Sequence, residues 1–339
     1  MINTNLPGRE LLKIENLSLK LPTEKGWLQI LEDINFDIYK GEVLGLAGES
    51  GSGKSLTALA IMNLLPRNAQ VSGSIEFGGI NLLELSAKDM RSVRGREVGM
   101  VFQEPMSSLH PSWTIGEQIS EVIRTHEKVS RKAAWSRSVQ MLALMDIPNP
   151  AERAKQYAFQ FSGGMQQRVM MAIALSCNPK LLIADEPTTA LDATIQAQIM
   201  EIIQSMQKER EMAILFITHD LGVLASLAQR ILIMYSGQLV ELANASVIFD
   251  APLHPYTQGL ILSAPHPGMK GGKLPSIKGD PPRLGRLPSG CRFHPRCEFA
   301  LECCKVEDIP VTQTPDGRTV RCIRSDELML GKQIEVAVS

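Results

Sequence analysis

Eight consecutive residues, Gly48-Glu49-Ser50-Gly51-Ser52-Gly53-Lys54-Ser55, fit the pattern G-x-x-x-x-G-K-[ST]. Glycines in such a run let backbone N–H groups turn inward around phosphate oxygens without Cβ clashes. Lys54 is then placed to neutralise β- and γ-phosphates, and the Ser55 hydroxyl to ligate Mg²⁺. The phosphate-binding stretch is read as these eight residues and the next two, Leu56 and Thr57. A second constellation is Leu181-Leu182-Ile183-Ala184-Asp185-Glu186, an apolar run that ends in two carboxylates. Asp185 stands where a further Mg²⁺ contact is needed, and Glu186 where it can polarise water attacking a γ-phosphate. Adjacent carboxylates repel; a bound metal relieves that for one and leaves the other free as a base. The chemistry indicated is hydrolysis of a nucleoside triphosphate. A strand ending in Asp-Glu is a weak signal alone, and the upstream loop is what gives it weight.

The elements around these residues must hold a loop at a strand end. Val43 to Ala47 is a short apolar run that reads as a strand buried on both faces, as in a parallel sheet. A helix is expected after the loop, through Ala58, Ile61 and Leu65, whose N-terminal partial charge favours an anion. Further strands are expected at Val98–Phe102, Leu181–Ala184 and Ala213–Thr218, with helices at Ala193–Gln207 and Leu221–Ala228. Strand and helix in alternation argue for an α/β fold with a parallel sheet. Two alternating runs between Leu11 and Ile38 read as half-buried strands around a turn at PTEKG. Ile231–Tyr235 and Gln238–Leu242 read as a hairpin joined at Ser236-Gly237. Helical periodicity from about Thr114 to Tyr157 reads as an insertion. Past about Ala251, Pro and Gly become dense and periodicity fades. The expected division is 1–250 and 251–339, with a helical part at about 104–165.

In this order the motifs resemble the nucleotide-binding subunit of ABC transporters. The resemblance implies a P-loop ABC ATPase with a RecA-like core, an antiparallel β subdomain and a helical subdomain. Gln103, in Val101-Phe102-Gln103-Glu104-Pro105, matches the family's Q-loop, which implies contact with Mg²⁺ or the attacking water. Phe161-Ser162-Gly163-Gly164-Met165 matches its LSGGQ signature, with Phe161 and Met165 departing from Leu and Gln. Ser162, Gly163 and Gly164 would open a helix whose free donors face an anion; in the family that anion is the γ-phosphate held by the other subunit. Ala190-Leu191-Asp192 matches the D-loop, which gives Asp192 a place at the dimer interface. His219 matches the H-loop and would hydrogen-bond the γ-phosphate. The catalytic set implied is Lys54, Gln103, Glu186 and His219. The family stacks adenine on an aromatic ring where Leu21 stands here, and Trp27 lies nearby as a substitute.

Five of the six cysteines fall between residues 291 and 322. The segment is similar to the extension on ATPases of oligopeptide, dipeptide and nickel importers, as is His254-Pro255-Tyr256-Thr257. Cys291, Cys297, Cys304 and Cys322 suit a metal centre; the resemblance implies a [4Fe–4S] cluster, and Zn²⁺ or unliganded thiols are the alternatives. Cys303 is read as a bystander, Cys177 as a small core residue, and the Tyr256 region as packing and linker.

Lys plus Arg is 35 and Asp plus Glu 36. No basic excess points to nucleic acid. No apolar run reaches the ~18 residues of a membrane span, and the N-terminus lacks a charged-then-apolar signal region. The expectation is a cytoplasmic ATPase on the inner-membrane face, held by two transmembrane permease subunits. Its mate would be a related second ATPase or a copy of itself, with a solute-binding protein acting indirectly. The cargo implied is di- or oligopeptides or a similar solute such as nickel. The alternative is a soluble ABC ATPase outside transport.

Overall fold

The computed structural model describes residues 9–104, 108–188, 193–264 and 275–331. It divides into two compact units that each draw on separated stretches of chain: residues 1–11, 38–42 and 82–217 in the first, and 12–37, 43–81 and 218–339 in the second.

In the first unit three parallel strands lie in the order β8-β7-β6: β6 is Val98–Val101, β7 Leu181–Asp185 and β8 Ala213–Ile217. Val98 pairs with Leu181, and Leu181 with Ala213. All ten residues of β7 and β8 are buried, as expected of a parallel sheet covered on both faces. The insertion folds into helices Ile115–His126 and Arg131–Leu144, which pack on each other and on helix Gly163–Leu175. Thr114 starts the first of these through a capping box: its hydroxyl accepts from Glu117 N–H, and the Glu117 carboxylate accepts from Thr114 N–H. Ser130 caps the second by accepting from Ala133 N–H. Helix Ala193–Arg210 follows β7.

In the second unit the strand order is β11-β12-β10-β9-β3. Here β3 is Val43–Ala47, β9 Arg230–Tyr235, β10 Gln238–Asn244, β11 Thr312–Gln313 and β12 Thr319–Val320. β3 and β9 are parallel, and β9 and β10 form the expected hairpin. Ser236 and Gly237 both take positive φ, 46° and 82°, which matches the twist of flanking strands. The C-terminal segment adds β12 to this sheet, with Glu241 opposite Val320. A separate antiparallel sheet runs β2-β1-β4-β5, from β1 Glu10–Thr23, β2 Gly26–Tyr39, β4 Gln70–Phe77 and β5 Ile80–Asn81. The strands β1 and β2 run further into the turn than the PTEKG reading expects, leaving only Glu24-Lys25 between them as turn.

The helix after the phosphate loop is Lys54–Ile61, shorter than expected. Leu65 lies outside it: Asn63 has φ 49°, and the residue before Pro66 is pushed out of helical geometry. Among the described residues no helix is long and apolar enough to cross a membrane.

Candidate active site

In the second unit, β3 delivers the chain into the glycine-rich loop at Gly48. A Cβ there would lie 2.2 Å from Met234 O, and φ is 150°, so only glycine fits. Gly53 caps the following helix with φ 107°, and a Cβ on it would meet a Leu31 methyl at 2.5 Å. Lys54 is buried, and its Nζ donates to Gly48 O at 2.8 Å and Glu49 O at 3.0 Å. Its ammonium is therefore held over the loop's own carbonyls. Thr57 Oγ1 donates to Gly53 O at 3.0 Å, and Gly237 N–H from the hairpin turn donates to Ser52 O at 2.8 Å. Ser52 Oγ is buried without a hydrogen-bond partner, a polar atom that a phosphate oxygen would satisfy. Ser50 and Gly51 are exposed, and Ser55 and Leu56 half-buried at the helix start. His219 is exposed; the residue before it, Thr218, donates its N–H to Leu46 O at 3.2 Å, which ties His219 to the strand feeding the loop. Leu21 is half-buried, and Trp27 is exposed at the start of β2.

In the first unit, Asp185 closes β7 and is buried. Glu186 follows with φ 48°, a left-handed conformation that costs a non-glycine residue energy. Its N–H is held by Ile217 O at 2.9 Å, and its carboxylate accepts from Gln103 Nε2 at 3.2 Å. Two residues 83 apart in sequence thus meet through one hydrogen bond. Ser162 caps helix Gly163–Leu175 by accepting from Met165 N–H at 3.4 Å. Ser162 and Gly163 are exposed, with open space around Gly163. Behind them Gln166 Nε2 donates to Ala158 O and Phe161 O, pinning the loop that leads in. The helix N-terminus presents its free N–H groups outward, as an anion site on a partner face requires. Asp192 and its neighbours Ala190 and Leu191 lie outside the described residues.

The four cysteines expected as metal ligands border one cavity without forming a metal-binding group among the described residues. Cys291, Cys297, Cys304 and Cys322 all line one small apolar cavity, with His254 and Phe293. Cys303 does not line that cavity. Burial, opposed only weakly by backbone N–H groups, pushes Cys297 and Cys322 up to about 11. Cys291 is raised too, by burial first and by its neighbour Cys304. Among the described residues no three His, Cys, Asp or Glu side chains are grouped as a metal ion would need. The donor set has the chemistry for a soft metal.

The comparisons with known proteins follow the same outline. Residues 31–189 match the family described as "ABC transporter". Residues 240–304 match "Oligopeptide/dipeptide transporter, C-terminal region". The chain is 44% identical to the oligopeptide transport ATP-binding protein OppD of Salmonella typhimurium, over 96% of each. It belongs to the ATP-binding proteins of the ABC transporter family. A dipeptide transport ATP-binding protein of Bacillus subtilis, DppD, is 45% identical over 94% of this chain and 96% of its own length. Among solved structures, the ATP-binding cassette MJ0796 bound to ADP and Pi, dimeric in a post-hydrolysis state, superposes with TM-score 0.63 at 26% identity. It covers 69% of this chain and 99% of that one. For cbiO1 of Clostridium perfringens the TM-score is 0.60 at 27% identity, covering 71% and 90%. The fold is the ABC cassette, and the chain is an ABC-type ATPase whose hydrolysis is coupled to transport.

Sequence reasoning missed a set of arginines beside the cysteines. Arg292 pairs with Glu32 and donates to Ser236 O; Arg321 reaches Asp33 at 3.2 Å; Arg296 reaches Glu49 at 2.6 Å. It also missed Tyr256, whose hydroxyl accepts from Glu49 N–H at 2.7 Å. A buried aromatic in a motif next to a linker carried no sign of that partner.

Proposed function

We propose that this ABC ATPase powers import of di- or oligopeptides from the cytoplasmic face of the inner membrane, through two permease subunits. The observation that carries this reading is the near full-length similarity to oligopeptide and dipeptide transport ATP-binding proteins, C-terminal segment included. Nothing favours the soluble alternative. The working assembly pairs this chain with a related ATPase or a second copy, and a solute-binding protein acts outside. The proposed division of labour is an ATPase domain at 1–250, with its helical part at about 104–165, and a C-terminal extension at 251–339.

The roles assigned to residues rest on motif order and on the local geometry of each motif. The Gly48–Ser55 loop wraps the phosphates with backbone N–H groups, and Lys54 exchanges its bonds to Gly48 O and Glu49 O for phosphate oxygens. Ser55, Asp185 and Gln103 would hold Mg²⁺, which supplies charge neutralisation at the transferring phosphoryl group. Glu186 orients and deprotonates the attacking water, with Gln103 fixing its carboxylate. His219 donates to the γ-phosphate. The capped helix behind Ser162 offers its N–H groups to the nucleotide of the mate, with Asp192 at the same dimer interface. Each ATP then lies between one subunit's phosphate loop and the other's signature helix. Closure on the γ-phosphate excludes water and completes the charge clamp.

Cys291, Cys297, Cys304 and Cys322 would hold a [4Fe–4S] cluster, or Zn²⁺. What supports this is four thiols on one apolar cavity. Protein purified without oxygen, assayed for iron, sulfide and zinc with its absorption spectrum, decides between them; a metal-free product removes the assignment.

The function is tested by reconstitution. Membranes solubilised from cells carrying a tagged chain should yield two membrane subunits and an ATPase mate. Peptide-stimulated ATP turnover should follow in proteoliposomes with the binding protein. A tagged chain that comes out without membrane partners would overturn the transport reading.

A further inference from the structure

The phosphate loop is gripped from outside by the C-terminal extension, and the grip converges on one residue. Glu49 is held at three of its groups. Its carboxylate takes both terminal nitrogens of Arg296, Nη1 to Oε2 at 2.6 Å and Nη2 to Oε1 at 2.9 Å. Its N–H donates to Tyr256 OH at 2.7 Å. Its carbonyl accepts from Lys54 Nζ at 3.0 Å and from Ser52 N–H at 3.2 Å. The first two contacts come from the extension, and the third is the loop's own.

These are built contacts. Tyr256 is fully buried and Phe293 nearly so, and the side chain of Arg296 is 5% exposed. Tyr256 packs with Tyr235 at 4.6 Å and Phe293 at 5.3 Å between ring centroids. Arg296 also donates to Tyr235 OH at 3.3 Å and, through Nε, to Lys278 O at 3.0 Å. A two-pronged guanidinium–carboxylate pair in such a setting fixes orientation as well as position. The Gly48–Glu49 peptide turns its N–H to Tyr256, so the carbonyl on its opposite side, Gly48 O, faces Lys54 Nζ at 2.8 Å.

Resting on the reading that this loop binds ATP, we infer that Arg296 and Tyr256 are positioning residues for the phosphate loop. They set the Gly48–Glu49 peptide and the Glu49 side chain, and through the carbonyls of Gly48 and Glu49 the starting position of Lys54. The extension thereby tunes nucleotide affinity directly, in addition to whatever its cysteines hold.

The test uses the full chain, a fluorescent ATP analogue, thermal melting, and ATPase assays on the assembled transporter. Tyr256→Phe deletes one hydroxyl and keeps the ring; it should weaken ATP binding about fivefold, as loss of one hydrogen bond predicts. Arg296→Gln should weaken it about tenfold or more, since the lost bonds are charge-assisted. KM should rise in both while kcat stays within about twofold, because neither side chain reaches the reacting atoms. Arg296→Lys should recover only part of the loss, for want of the second prong. Phe293→Leu loosens the same ring cluster without touching Glu49 and serves as control. Wild-type affinity in folded Tyr256→Phe overturns the inference, as does an equal loss in Phe293→Leu. Should Arg296→Gln fail to fold, Tyr256→Phe decides. Failure of the wild-type chain to bind the analogue would instead overturn the ATP-site reading itself.

Discussion

Gln103 Nε2 lies 3.2 Å from Glu186 Oε2, an amide donor set against the one carboxylate that the left-handed turn after β7 swings out of the strand. An amide in that place cannot take the proton from the carboxylate, but it can fix which oxygen lone pair is free. The carboxylate proposed as the base is therefore held in one orientation by Gln103.

From this pairing follows the first prediction. Glu186→Gln keeps the shape and loses the base, so ATP should still bind while turnover falls by roughly 10²-fold or more, the usual yield of general-base catalysis. Size-exclusion chromatography with ATP should show a persistent dimer with the mate. Near-normal turnover in this variant would remove Glu186 from its role. Gln103→Ala should cost less, since the base survives; it loses the orientation of Glu186 and one of three proposed Mg²⁺ ligands.

Lys54→Ala should abolish binding of the fluorescent ATP analogue. The wild-type ammonium is buried over Gly48 O and Glu49 O, so the truncated chain leaves those carbonyls facing the phosphates with no cation between. Repulsion between carbonyl oxygens and phosphate then adds to the lost attraction. Binding by the Lys54→Ala chain at wild-type strength would show that phosphate is held elsewhere.

Ser162 offers a separation of structure from function. Its hydroxyl caps helix Gly163–Leu175, and aspartate caps a helix about as well as serine. Ser162→Asp should therefore melt within a few degrees of wild type. Yet it places a negative charge where the mate's γ-phosphate is proposed to sit, so ATP-driven dimerisation and turnover should both collapse. Ser162→Ala should cost about 1 kcal/mol of stability through the lost cap and retain part of the activity. Full activity in Ser162→Asp would place the signature helix away from the nucleotide.

What could be read from sequence was what local physics determines. The phosphate loop needs glycine wherever a Cβ would strike Met234 O or Leu31, and that requirement is written as spacing. Strands β7 and β8 are buried on both faces, so they appear as unbroken apolar runs. The helix starts at Thr114, Ser130 and Ser162 carry their own capping residues. What stayed hidden was pairing at a distance. Glu49 and Arg296 stand 247 residues apart, and Glu49 and Tyr256 207 apart. No periodicity links such positions, and a half-buried Glu in a loop looks the same whether or not an arginine meets it. The helix end near Leu65 was misread because apolar spacing continues past the point where Asn63 and Pro66 stop the backbone.

A last prediction concerns acid. His254 is fully buried, and burial lowers its pKa to about 3 from its ordinary 6.5. It is neutral in the folded chain, with Nδ1 accepting from Tyr256 N–H at 3.0 Å. Its backbone N–H donates to the Glu241 carboxylate at 3.0 Å, and burial pushes that carboxyl's pKa upward. Below pH 6.5 the unfolded chain binds a proton on His254 that the folded chain refuses. Stability is therefore complete above pH 6.5 and falls as pH drops, by about 1.4 kcal/mol per unit once well below it. Glu241, with its pKa raised in the folded state, pulls the opposite way at lower pH. His254→Asn isolates the histidine, because an asparagine oxygen can still accept from Tyr256 N–H while Glu241 is unchanged. Between pH 7 and pH 5 the wild-type chain should lose about 2 kcal/mol more unfolding free energy than His254→Asn. Urea melts at the two pH values measure that difference. Parallel losses in the two chains would mean that His254 takes up its proton in the folded state.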